Sequence, residues 1–93
     1  MNPMLPINPD VTSVEPLPRH RLLLEFSNGE RKIFDVAPYL SQGAFEQLRD
    51  PIAFTAAQVV FGSVEWPIGV GLSYDTLYIC SSAADERTAR TVA

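Results

Sequence analysis

The stretch Arg21–Val36, RLLLEFSNGERKIFDV, constrains the fold more than any other part of the chain. One apolar run leads into Asn28-Gly29 and a second, β-rich run leads out. Asn-Gly between such runs is the strongest local hairpin signal, because both residues tolerate the positive φ of tight hairpin turns. Two registers compete. A two-residue Asn28-Gly29 turn sets Leu24 opposite Ile33 and Leu22 opposite Asp35, which spoils an apolar face. A three-residue Ser27-Asn28-Gly29 loop, with Gly29 as a left-handed bulge residue, sets Leu22 opposite Phe34 and Leu23 opposite Ile33. It also places Glu25 across from Arg31 and Arg21 across from Asp35, pairs worth about 0.2–1 kcal/mol each. The three-residue loop is the better prediction, with Leu22, Leu24, Phe26 and Phe34 on the core face. A hairpin is an architecture and not a chemistry.

Length and composition set the bounds. Ninety-three residues allow one domain and one modest core, and 46% apolar with 19% charged residues describes a folded chain. Seven basic against eleven acidic side chains leave a net charge of −4, which disfavours nucleic-acid binding through phosphate neutralisation. The short cluster Arg19-His20-Arg21 and the pair Arg31-Lys32 make no extended basic patch. The single cysteine, Cys80, forms no internal disulfide. No window approaches the roughly 20 apolar residues of a membrane span, and no signal peptide is evident. A cytoplasmic bacterial-type protein is the resulting expectation.

In chain order, residues 1–10 form a Pro-rich arm, residues 11–80 a single domain and residues 81–93 a polar tail. Asp10–Glu15 reads as a first strand stopped by Pro16 and Pro18. Asp35 caps a short turn around Pro38, Phe45 and Leu48 face the core from a second, and Asp50-Pro51 opens a third. Ala57–Phe61 and Val64–Trp66 read as a second hairpin about Gly62-Ser63, followed by a flexible loop over Ile68–Gly71. Ser73 caps a last helix, Tyr74–Cys80. The predicted class is α+β: a small antiparallel sheet from two hairpins and an N-terminal strand, with short helices on one face.

With these residues in order, a family resemblance emerges. Leu22, Leu24, Phe26, Asn28-Gly29-Glu30, Asp35-Val36, Phe45, Leu48, Phe54, Val64-Glu65-Trp66-Pro67, Gly69 and Leu77-Tyr78 resemble a bacterial family, domain of unknown function 2442, over about Val11–Ile79. The resemblance implies a small α+β fold and no known reaction. It also implies partnership with another small bacterial protein, in arrangements resembling toxin–antitoxin pairs. Family members commonly carry Asp where this chain has Gly71.

Candidate chemistry is sparse. His20, the only histidine, reads as a solvated turn residue and not a general base; Cys80 reads as a buried small hydrophobe and not a nucleophile. One His and one Cys supply no metal site. Gly69-Val70-Gly71 lacks the rest of a phosphate loop. Asp35, Glu65 and Asp75 would need to converge to do acid–base work, and each has a structural role instead, as hairpin partner, strand residue or first-turn residue. Trp66, Tyr74 and Tyr78 form the candidate binding surface, with core packing as their competing use. No catalytic residue and no cofactor is predicted.

The resulting expectation is a non-enzymatic protein-interaction module, an antitoxin-like or regulatory partner of another small, basic protein. The alternatives are a small-molecule-binding or enzymatic domain using Trp66–Tyr78 and a nucleic-acid-binding regulator. Two-fold self-association through an exposed strand edge is also open.

Overall fold

The structure, a computed structural model, describes residues 8–84. Seven strands and two α-helices follow in order: β1 (Val11–Leu17), β2 (Arg21–Phe26), β3 (Arg31–Asp35), α1 (Pro51–Phe54), β4 (Gln58–Val60), β5 (Ser63–Trp66), β6 (Val70–Leu72), α2 (Tyr74–Cys80) and β7 (Ser82–Ala83). Two 3-10 turns, Ala37–Tyr39 and Gly43–Arg49, fill the connection from β3 to α1. The class is α+β, as expected, but the strands divide into two antiparallel sheets, β1-β2-β3-β7 and β4-β5-β6. The expected single sheet is interrupted by the helical connection, whose Leu48 and Phe54 pack into the core shared by both sheets.

The first hairpin has the three-residue loop. Leu22 pairs with Phe34, Leu23 with Ile33 and Glu25 with Arg31. Gly29, at φ +90°, donates its N–H to the Phe26 carbonyl at 2.8 Å. Leu22, Leu24, Phe26 and Phe34 are all buried in one cluster. The charge pairing that favoured this register takes another form. Arg21 and Asp35 stand opposite one another, yet Arg21 Nε donates to the Pro18 carbonyl and Asp35 Oδ1 accepts from the Ala37 N–H. Local main-chain partners win because they need less side-chain ordering than a solvent-exposed ion pair.

The second hairpin turns one residue earlier than predicted. Val60 pairs with Ser63, and the turn is Phe61-Gly62, at φ +48° and +80°. Two positive φ values are what a tight type I′ hairpin turn requires. Ser63 is a strand residue whose hydroxyl accepts the Tyr74 N–H at 2.9 Å. Beyond Trp66, the expected loop is a third strand. Gly69, at φ +98°, donates to the Trp66 carbonyl at 2.9 Å, so Pro67-Ile68-Gly69 repeats the geometry of Ser27-Asn28-Gly29. Val70 then pairs with Trp66, and Gly71 with Glu65. A side chain on Gly71 would begin 2.9 Å from Glu65 Cγ, which gives this glycine a packing reason inside a strand.

β1 continues through Pro16, which pairs with Leu22. Pro16 is tolerated because β1 is an edge strand of its sheet. Asp50 Oδ1 accepts the Ile52 N–H at 3.0 Å, and Ser73 Oγ accepts that of Thr76, so these two predicted caps form, as does that of Asp35 on the Ala37 N–H. Ser82-Ala83, the start of the predicted tail, pairs with Lys32 and Ile33. Residues 85–93 of that tail, and residues 1–7 of the Pro-rich arm, lie outside the described residues. Replacing Gly69 with Ala should cost about 1–2 kcal/mol, the penalty of a left-handed residue with a Cβ. Urea denaturation measures it; a Cβ there meets no atom within 4 Å, so steric conflict contributes nothing.

Candidate functional site

Among the described residues the core holds no buried polar or charged residue, so any functional group stands at the surface. Two surface features are out of the ordinary, and they lie at opposite ends of β1.

The first is the turn from β1 to β2. Arg19 and His20 both have positive φ, at 69° and 57°. Neither is glycine, and left-handed backbone costs such residues about 1–2 kcal/mol each. The surroundings hold the turn in place. The His20 carbonyl accepts the Val36 N–H at 2.9 Å. Its Nε2 lies 3.2 Å from the Arg49 carbonyl, and its ring meets Phe54 edge-on with centroids 5.0 Å apart. His20 is therefore half-buried and packed, not the solvated turn residue expected. Between this turn and α1 lies a cleft of about 330 Å³. Pro16, Leu17 and Pro18 form one wall, Pro51, Phe54 and Thr55 the other, and Arg19 and His20 complete the lining. Two basic neighbours are committed to loop carbonyls: Arg21 to Pro18, and Arg49 to Leu40 at 3.0 Å.

The second feature is Phe61. Its side chain is 99% exposed, at the tip of the β4–β5 turn. Single exposed apolar residues are ordinary on protein surfaces. A fully exposed phenylalanine in left-handed backbone is not, because both hydration and conformation disfavour it. Ile52 and Ile79 are also exposed, on α1 and α2.

The predicted surface trio is divided. Trp66 is 3% exposed, packed against Phe45 and Phe54, and its indole N–H donates to the Phe54 carbonyl at 2.9 Å. It is a core residue. Tyr74 and Tyr78 are half-buried on α2. Tyr78 packs edge-on against Phe26, lies under the Lys32 ammonium at 4.1 Å and donates its hydroxyl to Glu30. These contacts fasten α2 to the first hairpin. The Tyr78 hydrogen bond holds the Glu30 carboxyl below its ordinary range, and the same bond raises the Tyr78 phenol above its own.

Cys80 is exposed, contrary to expectation. Leu77 alone on α2 is fully buried, and the final residues Ile79 and Cys80 lie clear of the core. The three carboxylates considered for acid–base work are separately engaged: Asp35 caps the Ala37 N–H, Asp75 accepts from Asn8 Nδ2 at 3.0 Å, and Glu65 lies across from Gly71. Among the described residues no group of three or more His, Cys, Asp or Glu could hold a metal ion, and no helix is long and apolar enough to cross a membrane.

The sequence carried partial signals for the two features. Three prolines in Pro16–Pro18 and Pro51 mark rigid walls, but their proximity is tertiary. Phe61 reads as a strand residue because aromatic residues favour strands; only the glycine after it hinted at a turn. A family model described as "Protein of unknown function (DUF2442)" matches residues 11–79, a span that includes both the cleft and Phe61. The comparisons with curated proteins and with solved structures gave no match.

Two outcomes follow. Arg19→Gly should stabilise the domain by about 0.5–1 kcal/mol in urea denaturation, since it relieves left-handed backbone at an exposed side chain. The Glu30–Tyr78 bond contributes stability above the ordinary glutamate pKa and below the ordinary tyrosine pKa. That contribution is lost as pH falls through the depressed Glu30 value, and again as pH rises through the raised Tyr78 value. Glu30→Gln should bring Tyr78 back towards ordinary phenol titration, read by tyrosinate absorbance.

Proposed function

The chain belongs to the DUF2442 family of proteins of unknown function, and from that premise we propose that it is a non-enzymatic protein-interaction module. In this reading it serves as an antitoxin-like or regulatory partner of another protein. The observation that carries the proposal is Phe61, a whole aromatic side chain held in solvent by a strained turn. Burying a phenylalanine gives roughly 1.5–3 kcal/mol, and aromatic anchors of this kind dominate protein interfaces. A rigid hairpin tip presents the ring with little ordering cost on association.

The polar side chains support the same reading. Asp35, Asp50 and Ser73 act as caps, His20 packs on Phe54, and Glu30 fastens Tyr78. These are structural employments. A net charge of −4 suits a basic partner surface.

Affinity purification of the tagged protein from its source cells tests the proposal. The wild type should retain a stoichiometric protein chain, identified by mass spectrometry, and Phe61→Ser should lose it at unchanged thermal stability. Retention of nothing by the wild type, or of the same chain by Phe61→Ser, overturns it.

A further inference from the structure

The protein carries, on one chain, both an exposed ring and a cleft that suits one. We propose that the chain forms a two-fold dimer in which each copy's Phe61 enters the other's cleft between Pro16–Pro18 and Pro51–Phe54. This rests on the reading of Phe61 as an interaction anchor and names what it anchors to.

Size and chemistry agree. About 330 Å³ lies at the small end of the roughly 300–1,000 Å³ of ligand pockets, room for one ring-bearing group and not for a folded segment. Proline rings and Leu17 offer apolar walls, and Phe54, itself buried in the core, backs the cleft. Arg19 at the lining offers a cation for the face of an entering ring.

Charge agrees as well. The acidic group beside Phe61 is Asp10, which packs so closely on the turn that a Cβ on Gly62 would stand 2.6 Å from its carboxyl carbon. The basic group at the cleft is Arg19. A ring flanked by a carboxylate therefore approaches a cleft flanked by a guanidinium.

Placement supplies the symmetry. The Val11 N–H, at the start of β1, donates to the Gly62 carbonyl at 2.8 Å, which ties the Phe61 turn to that end of the strand. Leu17, at the other end, lines the cleft. A strand of seven residues separates the two by roughly 20 Å. A second copy with its β1 antiparallel to the first meets both features at once, and the contact closes on itself.

Sedimentation of the purified chain over a concentration series tests this. The wild type should pass from monomer to dimer and stop there. Phe61→Ser, which removes the ring, and Thr55→Tyr, which fills the cleft, should each weaken dimerisation at least tenfold. Both sites are exposed, and thermal melts should show both variants folded. Mixing the two variants should restore part of the dimer, since the Phe61 of one meets the open cleft of the other. A monomeric wild type, growth beyond the dimer, dimers that survive either substitution, or a mixture with no heterodimer each overturns the inference. A monomeric wild type that still retains a different protein through Phe61 in the affinity purification refutes the dimer alone.

Discussion

The cleft end of the molecule depends on one hydrogen bond, from the Trp66 indole to the Phe54 carbonyl. Trp66 belongs to β5 and Phe54 to α1, so the bond joins the second sheet to the helical connection that follows the first. The two rings lie 6.0 Å apart by their centroids, and the indole N–H would be costly to bury without a partner. Phe54 in turn meets the His20 ring, and His20 holds the left-handed turn after β1. Core, helix and strained turn thus form one connected support. The geometry of the cleft is inherited from the core and does not rest on the turn alone.

Features encoded by a few adjacent residues were legible in the sequence. The Ser27-Asn28-Gly29 loop, the Asp50 and Ser73 caps and the bounds of α2 all depend on neighbours within a turn. The same chemical signal was present at Pro67-Ile68-Gly69, where a left-handed glycine again closes a three-residue loop. It was masked by Gly71, because two glycines around one valine look flexible when the packing of Glu65 over Gly71 is invisible. Arg19 gave no local sign of positive φ, and the modest preference of histidine for that region does not by itself mark His20. The conformation of His20 is held by Val36, Arg49 and Phe54, which come from other parts of the chain. Cys80 was misplaced as a buried residue, because a helix pattern tells which side faces the core, not where the core ends.

The pairing of Gly71 with Glu65 also bears on the resemblance to family members with Asp at that position. An aspartate there would face a glutamate across the strands, and like charges in that arrangement are unfavourable. With glycine, Glu65 lies over the bare backbone of its neighbour. Glycine leaves this position without a carboxylate and free of the crowding that a Cβ would bring.

The left-handed residues Arg19 and Phe61 share one property. Arg19 and Phe61 are exposed, outside the cluster that joins the sheets. Their conformational cost is consequently separable from the packing that makes the domain fold. Such a division gives the scaffold a form of modularity: its exposed turns can be exchanged, lost or sharpened by substitution while the interior stays constant. A small domain built this way can diversify its surface without passing through unfolded intermediates in sequence space.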